Sequence, residues 1–119
     1  MKLYYFDIYG RAEGIRMLLD CAKVEFEDVR MNKEQIEEMK AAGKLEYGQV
    51  PMLELDDGTQ LTQTGAIMRY LASTHGFGYT DPKDIYRSEH LNSLAMDDFF
   101  GKFLMPIFTA PDGEKNALA

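Results

Sequence analysis

Gln63 directly precedes, and Thr64 begins, a stretch over residues 64–75 whose apolar residues recur at helical spacing. The first turn of a helix has backbone N–H groups without intrahelical partners, and the helix dipole adds positive potential there. We therefore expect an anionic group such as a carboxylate to bind at this point. The alternative is structural: the hydroxyl of Thr62 or Thr64 caps the helix and binds nothing else.

Few other residues offer nucleophilic or metal chemistry. Cys21 is the only cysteine, so one chain cannot form a disulfide, a CxxC redox pair or a cysteine-based zinc site. A reduced, intracellular setting fits this cysteine content. Cys21 lies late in a helical pattern, and we expect it to pack in the interior. His75 and His90 have no spacing to carboxylates that is typical of metal ligands, and we expect no metal.

Composition narrows the class of protein. The chain has 119 residues, of which 45% are hydrophobic and 28% charged, as in a soluble globular domain. Its net charge is −7 and its Lys and Arg residues are dispersed, so we expect no nucleic-acid partner. No apolar run is long enough to span a membrane. The first residues lack the apolar region of a secretion signal, so we expect Met1 to begin a cytoplasmic protein.

The hydrophobic pattern predicts an α/β fold. Asn32 is placed to cap a helix, and Asp57–Gly58 is a strong hairpin turn signal. The first strand–helix–strand unit requires parallel pairing, whereas the hairpin requires antiparallel pairing. A mixed four-stranded sheet with three helices satisfies both requirements. The predicted strands cover 2–6, 26–31, 52–55 and 60–62, and the predicted helices cover 11–22, 33–42 and 64–75.

A linker separates this domain from a second helical pattern. Residues 77–82 combine Gly, Asp and Pro, and they divide a predicted domain at 1–76 from one at 83–119. Asp81 and Pro82 are predicted to be the cap and first position of a helix. One long helical pattern then runs over 83–109, followed by a loop to the chain end.

Two segments resemble glutathione S-transferases of the cytosolic, tyrosine type. LYYFDIYGRAEGIRMLL (3–19) is similar to the end of that family's first strand and the start of its first helix. GQVPMLELDDGTQLTQTGAIMRYLA (48–72) is similar to its proline–hairpin–helix signature. Features of alpha-type and sigma-type members are both present, and both remain possible. The resemblance implies a thioredoxin-like domain followed by a truncated all-helical domain, with glutathione as the substrate.

The resemblance implies that Tyr5 is catalytic and that Arg11 adds positive potential near the substrate sulfur. A free thiol has a pKa near 8.5, so only about 3% is thiolate at pH 7. A phenol O–H directed at the sulfur would stabilise the thiolate by a charge-assisted hydrogen bond. The alternatives are that Tyr5 is a packed strand aromatic and that Arg11 is an exposed arginine at a helix start.

The remaining site residues also follow from the resemblance. Val50 and Pro51 match a cis-proline site whose main chain pairs with the cysteinyl part of glutathione. Nothing in the local sequence requires the cis form, so a trans bond, which is the usual state before proline, is the alternative. Gln49 matches a position that offers an amide to the glycyl end. Gln63 and Thr64 match the residues that hold the γ-glutamyl carboxylate, with the Thr64 hydroxyl and N–H both expected to contribute.

Charged positions are assigned with alternatives. Lys40 matches a basic residue that binds the far carboxylate of the tripeptide, and Lys44 is a near rival. Asp97, or its neighbour Asp98, matches an acidic residue that reaches the γ-glutamyl amine of the other subunit's ligand. Each of these could equally be a solvated surface residue.

The resemblance implies a homodimer that conjugates glutathione to a small apolar electrophile in detoxification. The chain reaches roughly the first helix of the family's helical domain, which leads us to expect a truncated product, a short isoform or a swapped oligomer. A non-catalytic glutathione-binding or assembly module is therefore the alternative function. A glutaredoxin-like oxidoreductase is disfavoured because no cysteine occupies the active-site position. The apolar stripe left without bundle partners comprises Phe99, Phe100, Phe103, Leu104, Ile107 and Phe108.

Overall fold

The computed structural model describes residues 1–111. The chain divides into two compact units, the first covering residues 1–78 and the second beginning at Tyr79. The division falls within the predicted 77–82 linker. The predicted terminal loop and the end of the predicted 83–119 domain lie at 112–119, outside the described residues.

The first unit contains the mixed four-stranded sheet predicted from the sequence. Its strands are β1 (Lys2–Phe6), β2 (Glu27–Met31), β3 (Met52–Glu54) and β4 (Gln60–Thr62), in the order β2-β1-β3-β4. β1 pairs with β2 in parallel and with β3 in antiparallel orientation, and β3 pairs antiparallel with β4. β1 is therefore a central strand, with β2 on one side and β3 on the other.

Three helices accompany the sheet, also as predicted. They are α1 (Glu13–Cys21), α2 (Lys33–Ala41) and α3 (Thr64–Thr74). A single 3-10 turn, Gly10–Ala12, replaces the predicted first turn of α1. Asn32 caps α2 as predicted: its side chain accepts the Gln35 N–H at 2.9 Å, and the Gln35 side chain accepts the Asn32 N–H at 2.9 Å. This reciprocal pair satisfies two donors at the start of the helix.

Strand alternation decides which helices meet which face of the sheet. Leu3 and Tyr5 of β1 lie in one buried cluster with residues of α1 and α3, whereas Ile36 of α2 packs in a separate cluster on the opposite face. α1 and α3 therefore share the face toward which Tyr5 points. The first cluster contains Leu3, Tyr5, Ala12, Ile15, Leu19, Leu53, Ile67 and Leu71, and the second contains Met31, Ile36, Leu45 and Met52.

Two predictions about buried faces were wrong. Cys21 is exposed rather than packed, because it lies at the end of α1 away from the buried side chains of Ile15 and Leu19. The apolar spacing over 64–75 places Ile67, Tyr70 and Leu71 on one helical face, and Ile67 and Leu71 are buried as this predicts, but Tyr70 is 38% exposed. The buried stripe of α3 is therefore narrower than the apolar pattern indicated.

The second unit is helical throughout most of its described length. It contains α4 (Pro82–Ser93), a segment of wider π-type winding (Leu94–Leu104) and α5 (Met105–Thr109), where the sequence predicted one long helix. Asp81 caps α4 as predicted, accepting the N–H of Lys83 at 2.9 Å, and Pro82 is its first residue.

The apolar stripe of the second unit remains substantially exposed. Phe99, Phe103 and Phe108 are each more than half exposed. None of the helices within residues 1–111 has the length and apolar character needed to cross a membrane.

Candidate functional site

Tyr5 lies near the carboxyl end of β1 with its ring buried and 5% exposed. Its hydroxyl oxygen accepts a hydrogen bond from the Arg11 backbone N–H at 3.0 Å. Accepting this bond does not use the hydroxyl proton, which can be donated to a second atom. Donation into the oxygen also polarises the O–H bond and makes it a stronger donor.

Gly10 lies directly against one side of the Tyr5 hydroxyl group. Its backbone has φ +44°, and a Cβ built there would lie 2.7 Å from the Tyr5 hydroxyl oxygen and 2.9 Å from Cε1. Both the left-handed backbone and this close approach require glycine. The main chain of residues 10–11 therefore fixes the position of the hydroxyl.

Arg11 also connects the Tyr5 hydroxyl to the start of α3, because its carbonyl group bonds a residue of that helix. This carbonyl accepts a hydrogen bond from the Thr64 hydroxyl at 3.3 Å, and Thr64 is 6% exposed. The main chain of Arg11 thus brings together Tyr5 and Thr64. These three residues belong to three separate elements of the sequence. The Thr64 hydroxyl thus makes a hydrogen bond within the protein, and the predicted contacts of the Thr64 hydroxyl and N–H with a ligand carboxylate stay a prediction.

The simple capping interpretation is wrong. The residue before α3 is Gln63, which makes no side-chain capping bond, and the Thr62 hydroxyl instead donates to a Glu46 carboxylate oxygen at 2.9 Å. Gln63 has φ +69°, an uncommon conformation for a residue with a side chain. Its amide donates to the Gln49 side-chain oxygen at 3.3 Å, so two of the predicted binding residues are in contact.

Val50 and Pro51 precede β3, and the peptide bond between them is cis, as the resemblance implied. Pro51 is buried and Val50 packs against both hydrophobic clusters. The main chain at this point is therefore held by packing on both sides of the sheet.

The predicted lysines lie near the end of α2. Lys40 forms an ion pair with Glu37, with Nζ 2.7 Å from Oε1, and this bond lowers the pKa of Glu37. The aliphatic part of Lys40 is 3.8 Å from where a Cβ of Gly48 would lie, one residue before Gln49. Lys44 is exposed, and its N–H donates to the Met39 carbonyl.

Asp97 and Asp98 belong to the second unit. Asp97 is exposed, and Asp98 forms an ion pair with Lys102. Their role toward a ligand stays a prediction. Among residues 1–111, no group of three or more His, Cys, Asp or Glu side chains could hold a metal ion.

Sequence reasoning missed Arg16. It is 7% exposed on α1, and its Nε donates to both carboxylate oxygens of Asp28, at 3.2 and 3.1 Å. The signal was available, because Arg16 follows Ile15 on the helical face that Leu19 continues, and an arginine on a buried face requires a carboxylate partner.

Known proteins resemble this chain over most of its length. The glutathione S-transferase N-terminal domain model matches residues 1–73. Glutathione S-transferase alpha-4 of Rattus norvegicus is 40% identical over 119 residues, which is 99% of this chain and 53% of the rat protein. Glutathione S-transferase A4 of Mus musculus is 48% identical over 87 residues, which is 72% of this chain and 39% of the mouse protein.

Solved structures agree with the sequence matches. The sigma class GST of Fasciola hepatica superposes with a TM-score of 0.79 at 34% identity, covering 98% of this chain and 56% of that protein. The chain thus spans about half the length of the relatives it matches. The domain match, the sheet order and the two sequence signatures together establish that this chain belongs to the glutathione S-transferase family.

Proposed function

We propose that the chain binds glutathione and that Tyr5 hydrogen-bonds the glutathione sulfur, stabilising the thiolate that attacks small apolar electrophiles in detoxification. The observation that carries the proposal is the Tyr5 hydroxyl itself. It is buried, it accepts from the Arg11 N–H, and its own proton is available to a further acceptor.

The proposed chemistry uses the two substrates, the protein and solvent water. The thiol S–H bond breaks and its proton passes to water, while the Tyr5 O–H donates to the sulfur that keeps the electron pair. That pair then forms a carbon–sulfur bond with the electrophile, and a leaving group departs with its bonding electrons. Lowering the thiol pKa by about 2 units corresponds to roughly 2.7 kcal/mol and makes the thiolate the major form at pH 7.

The rest of the tripeptide is proposed to bind along the same edge of the site. The first-turn N–H groups of α3, at Thr64 and Gly65, would bind the γ-glutamyl carboxylate. The Val50 main chain would pair with the cysteinyl part, as a strand would. The Gln49–Gln63 amide contact supports placing both side chains in the same part of the proposed site.

Charged residues complete the proposed site. Lys40 is favoured over Lys44 for the glycyl carboxylate because its side chain lies against Gly48, next to Gln49. Asp97 is proposed to act on the ligand of a second subunit in a homodimer, and Arg11 to add positive potential near the sulfur.

The second candidate function is a non-catalytic glutathione-binding or assembly module. One observation favours it: Phe99, Phe103 and Phe108 are exposed, and an exposed apolar patch of this kind is typical of a surface that binds another protein.

Tyr5→Phe tests the proposal, with Tyr4→Phe as the matched control because Tyr4 belongs to the cluster on the opposite face of the sheet. Calorimetry would measure glutathione affinity, and the ultraviolet absorbance of the bound thiolate against pH would give the thiol pKa. We expect Tyr5→Phe to retain binding but raise the bound-thiol pKa by about 2 units, with conjugation falling in parallel. Tyr4→Phe should change neither quantity.

Each other outcome has a definite meaning. Binding without thiolate formation in the unsubstituted chain supports the module. A bound-thiol pKa that is lowered equally in the unsubstituted chain and Tyr5→Phe refutes the role of Tyr5. Absence of glutathione binding removes both candidate functions.

A further inference from the structure

Arg16 occupies an unusual place for a charged residue. Besides its bonds to Asp28, its Nη1 donates to the carbonyls of Ile8 at 3.0 Å and Tyr9 at 3.3 Å, and to a Glu13 carboxylate oxygen at 3.0 Å. One buried guanidinium therefore connects α1, β2 and the loop that follows β1.

Stability alone does not explain this arrangement. A buried ion pair is often no more stabilising than apolar residues of similar volume. The Nη2 atom of Arg16 is moreover buried without a hydrogen-bond partner within the described part of the chain, which carries a desolvation cost. The geometry instead points to a requirement for the two loop carbonyls to be held in place.

The side chains of Ile8 and Tyr9 do little to hold this part of the loop. The side chains of Ile8 and Tyr9 are 50% and 73% exposed, so they contribute little packing. The Ile8 N–H donates to the Phe6 carbonyl at 2.8 Å, which forms a tight turn but does not attach it to the rest of the domain. Arg16 supplies that attachment from the buried side.

The next two residues of the loop, Gly10 and Arg11, fix the position of the Tyr5 hydroxyl. Gly10 lies against the Tyr5 ring, and the Arg11 N–H donates to its oxygen. A displacement of the Ile8 and Tyr9 carbonyls would be transmitted directly along the main chain to these contacts. A shift of even about 1 Å at a reacting group can cost two orders of magnitude in rate.

Asp28 fixes the guanidinium relative to the sheet. Its carboxylate is shared between Arg16 and Arg30, whose Nε lies 2.8 Å away. Arg30 also pairs with Asp7, at 2.9 Å, but Asp7 is 77% exposed. The Asp7 pair is thus a surface contact on the same loop, of a kind that contributes little to stability.

We infer that Arg16 is a positioning residue, which holds the residue 8–11 loop so that the Tyr5 hydroxyl is directed at the substrate sulfur. This inference rests on the proposed thiolate-stabilising role of Tyr5. Arg16 would not touch the substrate; it would act through the main chain of Ile8 and Tyr9.

Arg16→Lys in the full chain tests the inference, because an ammonium keeps the charge but cannot serve Asp28 and both carbonyls with a planar fork. We expect the bound-thiol pKa, read from thiolate absorbance, to rise by about one unit, a tenfold loss in the thiolate-to-thiol ratio. The dissociation constant of glutathione should change by less than about threefold, a free-energy change below RT ln 3. This split is expected because the Gln49–Pro51 and Gln63 contacts do not involve Arg16.

Asp28→Asn should move the thiol pKa in the same direction, because it removes the partner that orients Arg16. Asp7→Asn is the matched control and should leave the pKa unchanged or slightly lower. An unchanged pKa in folded Arg16→Lys overturns the inference. Loss of cooperative folding in both Arg16→Lys and Asp28→Asn also overturns it, because Arg16 would then be a general stabilising residue. If Tyr5→Phe leaves the pKa unaltered, the proposed function fails, whatever Arg16 does.

Discussion

Replacing Gly10 with alanine tests how closely the Tyr5 hydroxyl is confined. The new Cβ would lie 2.7 Å from the hydroxyl oxygen and 2.9 Å from Cε1, whereas carbon atoms in favourable contact are about 3.5–4.0 Å apart. The ring or the loop must therefore move. Either movement weakens the bond from the Arg11 N–H, which is 3.0 Å long in the unsubstituted chain.

The expected magnitude has two parts. An L-residue at φ +44° is in the left-handed region, which costs roughly 1–2 kcal/mol. Overpacking of a buried site typically adds about 1–3 kcal/mol. The loss of unfolded-state entropy that accompanies Gly→Ala returns about 0.4–1 kcal/mol. The free energy of unfolding should therefore fall by about 1–5 kcal/mol in Gly10→Ala.

Gly43→Ala separates the backbone penalty from the contribution of the contact with Tyr5. Gly43 has φ +65° and nothing within 4 Å of its Cβ position, so alanine there meets only the backbone penalty. Urea denaturation of both variants should give a difference of about 1–3 kcal/mol, the contribution of the contact with Tyr5. Gly10→Ala should also raise the pKa of the bound glutathione thiol, whereas Gly43→Ala should not. Equal destabilisation and equal thiol pKa values in the two variants would refute the confinement of Tyr5.

Two further predictions concern charged residues. Glu37→Gln should tighten glutathione binding by up to about fivefold by calorimetry, because it releases Lys40 from an exposed ion pair; an equal gain in Glu38→Gln would contradict the assignment of Lys40. The Thr59 N–H lowers the pKa of Asp57, so this carboxylate stabilises the fold above its ordinary pKa of about 4, and the contribution is lost as pH falls through the lowered value. The melting temperature of Asp57→Asn should accordingly fall less between about pH 4 and pH 2 than that of the unsubstituted chain, and parallel curves would be inconsistent with this linkage.

Local signals predicted most of the fold. The aromatic-rich KLYYF marked β1, Asn32 marked the start of α2, and Asp57–Gly58 marked the hairpin. Each of these signals acts within a few residues, so no knowledge of tertiary contacts is needed to read it. The sheet followed because a strand–helix–strand unit and a hairpin admit few arrangements.

The contacts within the site could not be predicted in this way. The bond between Arg11 and Tyr5 and that between Thr64 and Arg11 depend on main-chain positions set by packing. The burial of Arg16 was missed because charged side chains are usually exposed, although its place beside Ile15 was a signal, and its bonds to the Ile8 and Tyr9 carbonyls had no signal in the sequence. Cys21 was expected to be buried because cysteines usually are, although its place at the end of α1 leaves it exposed. In each case tertiary context outweighed the average behaviour of the residue type.

The two hydrogen bonds that converge on residue 11 use its peptide groups and not its side chain. A substitution of that side chain therefore leaves both main-chain bonding groups in place. Proline is the exception, since it has no N–H to donate. For the proposed site, a series of substitutions at this position would show how the charge of the side chain affects the pKa of the bound thiol while the donor to Tyr5 and the acceptor from Thr64 are kept.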